Sequence, residues 1–526
     1  MSYIAKTKIP FYYSIFEEKL DLYPDSMKYA GNDMVALAEG EHGDLLIVSG
    51  ATGHLFEGHS YQNLGEEWVK APLTSTNAAV LRKLFPFTAP VRVLGRNRTI
   101  GLGDRLGIAT PGHIRALLAY DEPDCFHPVL AQQSPRELNL TGRSFADVLD
   151  AATFAVFREG FTRGYGADGD HLKTKEDIAG ALSLGYTMIT LDCSDHIRKD
   201  ADTMSDTDVA AVCGLPDDVA QFYSGKTFLL DNASGIADGS SPGGNTDEVS
   251  VSGTNCSTPE AHGDTSISFT LEQLRRIYLK YGNAIKFAAD IYSSLIAPCK
   301  DQTDFEISLD ETDTPTLPSE HFFVVSELVR LGVRFETIAP RFCGEFQKGV
   351  DYVGDISQFE AELHTHDCIA RHFGYKLSIH SGSDKFSVFN IIGKVTDGRF
   401  HLKTSGTSWL EAMQLIAEKS PGLYREIHSF ALANFEAAKR NYHITADISL
   451  IPDVNALPDS GLTTLFTLSE ARQLIHITYG KILTARQEDG ESLFNDKLRS
   501  LWSSNDNAYA GMLIEHIGKH LEELIN

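Results

Sequence analysis

The stretch from Tyr165 to His196, YGADGDHLKTKEDIAGALSLGYTMITLDCSDH, reads as a strand–helix–strand unit. Thr174 is an N-cap residue type with Asp177 three positions on, the spacing of a reciprocal cap at a helix start. Ile178, Ala181 and Leu182 fall on one helical face. Gly185 suits the left-handed residue that closes a helix. The apolar run YTMITLD follows directly, so the unit is a compact βαβ. Both strands stop at polar residues: Asp170 and His171 at the first, Asp192, Ser194, Asp195 and His196 at the second.

The same rhythm extends both ways. Upstream, RTIGLGDRLG leads into TPGHIRALLA, and PVLAQQS into SFADVLDAATFAVFREGF. Downstream, DFEISLD, RFETIAP, YKLSIH and RFHLKTS are strand-like, with SEHFFVVSELVRLG and SQFEAELHTHDCIARHFG as helices between them. Eight strands from Arg98 to Thr404 predict an α/β fold, a (β/α)8 TIM-type barrel. Residues 1–92 read as a small N-terminal α/β cap and 93–407 as the catalytic barrel. Residues 408–526 read as a helical C-terminal extension that packs on the barrel or on another subunit. Residues 197–265 are rich in Gly, Ser and Asp with little to bury. They read as a long insertion after the fourth strand, a lid or a disordered loop peripheral to the core. In HTHD, His364 and His366 read as polar helix surface.

Of 526 residues, 42% are hydrophobic and 22% charged, ordinary globular composition. Lys+Arg 46 against Asp+Glu 72 leaves a net charge of −26, which argues against nucleic-acid and membrane-surface partners. Seven scattered cysteines without a CxxC predict a reduced, cytoplasmic protein and no zinc–thiolate site. No signal-peptide run or membrane-length apolar run is present. Association into a homo-oligomer is left open.

A (β/α)8 barrel places its chemistry at the C-terminal ends of the strands. Polar residues gather at all eight predicted ends: Asp104 and Arg105; Gln132, Gln133 and Ser134; Asp170 and His171; Asp192 to His196; Asp310 and Glu311; Arg341 and Glu345; His380, Ser381 and Ser383; Lys403 and Thr404. An Asp-His pair at a strand end can divide labour. Imidazole ligates a metal, and the neighbouring carboxylate moves a proton at the bound substrate. On the residues alone, Asp170 as a loop cap and His171 as polar surface stay open.

The Tyr165–His196 stretch resembles the metal-dependent class II aldolases of fructose and tagatose bisphosphate. Their Asp-His strand end is followed by a helix ending in Gly-Phe and a strand ending in Asp-x-Ser. Here Asp170-His171 precedes Gly185-Tyr186 and Asp192-Cys193-Ser194. PVLAQQSPRELNLTG, YKLSIHSGSDKFSV and RFHLKTS resemble the aldolases' second strand, His-Gly-rich loop and last strand. The resemblance implies proton transfer by Asp170 and metal ligation by His171 and His380. HSGSDKFS departs from the phosphate-gripping glycine loop, which argues against a bisphosphate substrate. The aldolases' histidine on the sixth strand has no match. APRFCGEFQKG offers Glu345 there, as a metal ligand, a second acid/base, or a salt-bridge partner of Arg341 or Lys348.

Over nearly its whole length the chain resembles the tagaturonate epimerase family, through IGLGDRLGIATPGH, QQSPRELNLTGR, GADGDHLKT, LDCSDHI, APRFCGEFQKG and HLKTSGTSWLEA. That implies interconversion of D-tagaturonate and D-fructuronate, which differ at C4. C4 lies beta to the C2 ketone, so its C–H is not acidic and enolisation alone does not invert it. Reversible aldol cleavage between C3 and C4 does. On this reading a divalent metal ion (Zn, Mn, Fe, Co or Ni, which these ligand types do not distinguish) sits on His171, Glu345 and His380. Asp170 carries the proton, with Asp192 and Glu345 as further acid/base candidates. Arg341, Lys348, Lys385 and Lys403 meet the substrate carboxylate, and Gln132, Ser134, Ser381 and Ser383 line the sugar-acid substrate. The alternatives are a class II aldolase, a metal-dependent ketose isomerase and a non-catalytic sugar-acid binding protein.

Overall fold

The structure is a computed structural model that describes residues 7–11, 16, 18–63, 65–120, 125–230, 265–440 and 442–525. Eight parallel strands close into a barrel: β1 (Arg98–Gly103), β2 (Phe126–Gln133), β3 (Gly166–Leu172), β4 (Met188–Asp192), β5 (Asp304–Ser308), β6 (Thr337–Ala339), β7 (Lys376–Ile379) and β8 (Phe400–Ser405). These are the eight strands read from the sequence, and β8 pairs back onto β1 with Phe400 opposite Arg98. One long helix follows each: α1 (Thr110–Tyr120), α2 (Phe145–Glu159), α3 (Lys175–Leu184), α4 (Leu271–Ile291), α5 (Pro318–Arg330), α6 (Ile356–Phe373), α7 (Phe386–Val395) and α8 (Thr407–Lys419).

Helix α3 forms as its cap pattern requires. Thr174 Oγ1 accepts the Asp177 N–H at 3.1 Å. Ile178 and Ala181 are buried, and Gly185 takes φ 94°, a conformation that costs a residue with a Cβ. The chain entering β1 seals the bottom of the barrel. Asp304, at the start of β5, accepts the N–H groups of Val93 and Leu94, both at 2.9 Å, and Arg92 Nε at 2.7 Å. The open end is therefore the one where the strands finish.

The N-terminal region is an antiparallel sheet plus the helix Ser75–Leu84. Its Val35, Leu37, Leu46 and Val48 share a core with Leu81, Phe85 and with Phe154 and Phe157 of α2. The C-terminal region contributes α9 (Pro421–Lys439), α10 (Ser469–Thr484), α11 (Asn495–Ser504) and α12 (Asp506–Ile525). It packs on its own barrel, with α12 lying against α1 and α7. Glycines permit the approach: a Cβ at Gly112 would stand 2.6 Å from Leu513, and one at Gly393 would stand 2.3 Å from the Leu524 carbonyl oxygen. Helix α8 joins this layer through Trp409, which shares a core with Tyr479 and Trp502.

Two expectations need correction. Residues 197–230 are not a structureless insertion. They form the helices Asp206–Val212 and Asp217–Tyr223 and the strand Thr227–Leu229, which pairs antiparallel with Ser266–Ser268. Ile197, Val219, Tyr223 and Leu230 enter the main core. Their apolar positions are few and set among acids, so the Gly/Ser-rich composition that follows masked them. What was expected of residues 231–264 lies outside the described residues. His366 is not polar surface either. It is fully buried, 2.8 Å from His321 between ring Nδ1 atoms. Among the described residues, no helix is long and apolar enough to cross a membrane. The six described cysteines are free, and Cys256 lies outside the described residues.

Candidate active site

Alternate residues of a barrel strand point inward. Asp168 on β3, Thr190 on β4, Glu306 on β5 and Lys403 on β8 meet inside the barrel, all buried. Lys403 Nζ lies 2.7 Å from Asp168 Oδ2, 2.7 Å from Asp170 Oδ1 and 2.8 Å from Glu306 Oε1, and it also donates to Thr190 Oγ1. Thr337 Oγ1 donates to Glu306 Oε2 at 2.7 Å. One cation thus stands among three carboxylates. Burial disfavours its charge, but the carboxylates hold Lys403 well above its ordinary pKa. Burial pushes Asp168 up to about 7, with Lys403 opposing and Asp170 and Glu306 adding to the rise. Burial also works against ionising Asp170, but Lys403, His171 and His380 outweigh it and hold its pKa down at about 2. Lys403 was expected to meet a substrate carboxylate. Its charge is instead engaged by the protein's own acids.

Beside this cluster, His171, Asp310 and His380 offer ligand atoms that all lie within 4.8 Å of one another. His171 and Ser381 hold left-handed backbone, φ 53° and 49°, a strain of about 1–3 kcal/mol each that persists only where the surroundings enforce it. His380 Nε2 lies 2.8 Å from Glu306 Oε1, which turns Nδ1 toward Asp310 Oδ1 at 3.2 Å. The His171 ring stands edge-on to His380 at 4.9 Å between centroids, and Asp192 Oδ2 lies 3.7 Å from its Nδ1. Among the described residues, Nδ1 of both histidines is buried and faces a carboxylate without making a hydrogen bond of good geometry. Two imidazoles and a carboxylate, with Glu306 on the far nitrogen of the His380 ring, form a donor set that fits a divalent metal ion. Burial disfavours the imidazolium form, but Asp170 and Asp192 lift His171 to about 10, and Asp310 and Glu306 raise His380.

Glu345 does not join this trio, and the expectation that it would is corrected. It is partly exposed and faces His443 Nε2 at 3.1 Å and Arg341 at 4.0 Å. Strand β6 ends at Ala339, so the chain has already turned outward when it reaches Glu345. Asp310, two residues beyond β5, takes the place instead.

Above the trio opens a cavity of about 410 Å³, lined by Asp310, His380, Ser381, Arg341, Glu345 and Lys348 among others. A chamber of about 50 Å³ is walled by Gln132, Ser134, Asp170, His171, Lys403 and others. Asp310, His380, Ser381 and Lys348 line both, so the two form one site. Among the described residues, Asp170 Oδ1 receives Lys403 while no donor reaches its Oδ2. Gln132 Nε2 donates to the Thr404 carbonyl at 3.3 Å and leaves Oε1 unpaired. Gly101 makes room for it, since a Cβ there would stand 1.7 Å from Oε1. Ser134 lines the chamber, but its hydroxyl caps the helix Pro135–Thr141 by accepting the Glu137 N–H at 3.3 Å.

Lys385 and Ser383 are also corrected. Lys385 Nζ donates to the carbonyls of Gln347, Val350 and Ser383 at 2.9, 2.6 and 2.9 Å, and burial pushes its pKa down to about 7. Ser383 Oγ accepts the Ser405 N–H at 3.1 Å. Neither lines the site; both brace the turn after His380. That turn is fastened from outside as well. Asp384, at φ 60°, faces Arg472 and His516, both at 2.8 Å, and its N–H donates to His520 at 3.1 Å. This second His/Asp group is already balanced by Arg472 and Glu411. Asp168 and Glu306 escaped the sequence reading because they sit within strands, not at their ends. The available signal was an acid at an inward position of an otherwise apolar strand.

The family model for UxaE, tagaturonate epimerase, matches residues 23–237 and 258–524. A tagaturonate/fructuronate epimerase of Thermotoga maritima is 38% identical over 520 residues, which cover 97% of this chain and 98% of that protein. The native crystal structure of the fructuronate-tagaturonate epimerase UxaE from Cohnella laeviribosi matches with a TM-score of 0.86 at 43% identity, covering 96% of each chain. A glycerol complex of that protein matches equally well.

Proposed function

The chain belongs to the tagaturonate epimerase family, and from that premise we propose that it interconverts D-tagaturonate and D-fructuronate at C4 by reversible aldol cleavage, assisted by a divalent metal ion. One observation carries the mechanism: the metal-type trio His171, Asp310 and His380 and the fixed carboxylate Asp170 share one cavity at the strand ends. When bound there, a divalent metal supplies a Lewis acid for the C2 carbonyl oxygen.

The chain's own residues do the rest. Lys403 anchors Asp170 Oδ1, and Asp170 lines the chamber with Oδ2 unclaimed by any described donor. Asp170 Oδ2 takes the proton of the C4 hydroxyl. The C3–C4 bonding pair moves into the C1–C3 fragment, and C4 becomes an aldehyde carbon. Lys403 favours the ionised form of Asp170, and the carboxylate takes the proton as the C3–C4 bond breaks. The cavity walls retain the aldehyde while it turns its other face to C3. Re-addition returns the proton from Asp170 to the oxygen on C4 and yields the epimer. Asp192 acts through His171, whose ring it faces.

NMR of D-tagaturonate incubated with metal-loaded protein tests the reaction. Appearance of D-fructuronate supports it, and an unchanged substrate spectrum would refute it.

A further inference from the structure

We infer that Arg136 and Lys348 together form the seat of the substrate's carboxylate, an inference that rests on the epimerase reading above. The site is a hard place for an anion. Asp310, Glu311, Asp313 and Glu345 line the large cavity. A carboxylate entering such a wall must meet cations that are not already engaged.

The surrounding cations sort by partner. Lys403 is held by three carboxylates and Lys385 by three backbone carbonyls. Arg105 donates to Glu137 Oε1 through Nε at 3.0 Å and Nη2 at 2.7 Å. Arg341 donates to the Thr312 carbonyl and faces Glu345. Lys199 faces Asp313 at 3.6 Å. Arg136, just beyond β2, and Lys348, in the segment after β6, are left. Both line the large cavity and the small chamber, so they stand where the two join. Among the described residues, neither side chain makes a hydrogen bond or an ion pair.

Their proximity to each other strengthens the case. Burial lowers the Lys348 pKa first, and Arg105 and Arg136 lower it further against the pull of Glu137. Glu311 and Glu137 attract both cations without forming an ion pair with either among the described residues; the two like charges still repel, and an anion bound between them relieves the repulsion. Arg136 carries its guanidinium 5.4 Å over the Tyr442 ring. That contact steadies the planar group, whose N–H donors suit a two-point contact with a carboxylate. Lys348 is steadied through its backbone, whose carbonyl accepts Gln473 Nε2 of α10 at 3.2 Å. Arg136 and Lys348 line the same cavities as Asp310 and His380, so with the ketone end of the acid at the trio this wall is offered to its carboxylate end. The pair would select a uronate over the neutral ketohexose of the same shape.

Steady-state kinetics on D-tagaturonate with Arg136→Met, Lys348→Met and Arg136→Lys, alongside elemental analysis for metal, tests the inference. Arg136 is exposed and Lys348 half-buried, so loss of one partner from this charge contact predicts a KM raised about tenfold in each methionine variant, with a smaller change in kcat and unchanged metal content. Arg136→Lys should fall between, since it keeps the charge but loses the fork. KM within about threefold of wild type in the methionine variants, or a kcat loss at unchanged KM, would overturn the seat. If a methionine variant fails to fold, an unchanged KM in Arg136→Lys would overturn it equally. Wild type that does not interconvert the two uronates would refute the epimerase reading itself. In that case calorimetric titration with D-tagaturonate decides the seat separately: weaker binding in the variants supports it, and equal binding overturns it.

Discussion

Lys403 Nζ on the last barrel strand lies 2.7 Å from Asp170 Oδ1 on the third, and the same ammonium holds Asp168 and Glu306. The contact links the eighth strand to the third and fifth across the barrel interior, and it orients the carboxylate assigned to proton transfer.

Lys403→Met should therefore damage the fold as well as activity. It leaves three buried carboxylates without their shared cation, and removing one partner of a buried ion pair costs about 3–5 kcal/mol. Urea unfolding measures this. A variant within about 1 kcal/mol of wild type would show that the cluster adapts by protonation.

Asp170→Asn keeps shape but removes the base. Activity should fall about 10²- to 10⁴-fold, with metal content and circular dichroism retained. In wild type turning over in D2O, no deuterium should enter C4, because that C–H bond never breaks. Deuterium at C4 would sink the aldol route. A near-normal rate for Asp170→Asn would remove this residue from the mechanism and pass the role to Asp192.

Metal content should follow the trio. His171→Ala, His380→Ala and Asp310→Ala should each lower the metal bound per chain after dialysis, whereas Glu345→Gln should retain it. Elemental analysis decides. Full occupancy in all of the first three variants, or loss in Glu345→Gln, would contradict the assignment.

Stability should carry a pH signature at the bottom of the barrel. Burial, and then the nearby Asp304 charge, push Glu336 from its ordinary 4.5 up to about 7. The folded state therefore holds this proton more tightly than the unfolded chain does. The associated stability is present below about 4.5 and is lost as the pH rises through about 7. Glu336→Gln removes the titration and keeps an oxygen to accept the Phe305 N–H, now at 2.7 Å. The difference in urea midpoint between variant and wild type should shift in the variant's favour between about pH 5 and pH 8. A difference independent of pH would show that Glu336 titrates normally.

The sequence by itself determined the barrel and the line of its strand ends. Each βα unit is specified locally: Thr174 caps, Ile178 and Ala181 bury, Gly185 terminates, and the next apolar run begins at once. Repeated eight times, that local logic leaves closure as the way to bury every strand, so Asp170, His171 and His380 could be placed on one rim. Only the tertiary structure decided what each charged residue does there. A lysine reads the same whether its ammonium faces solvent or is held by three carboxylates, and the partners of Lys403 lie on strands 97 or more residues away. For the same reason the side chains of Lys348 and Arg136 make no hydrogen bond or ion pair among the described residues, while those of Lys385 and Lys403 do. The choice of Asp310 over Glu345 was likewise invisible, because it depends on how far the chain runs past the end of its strand before it turns outward. Backbone periodicity is a short-range property. The pairing of buried charges is set by contacts that form only once the barrel has closed.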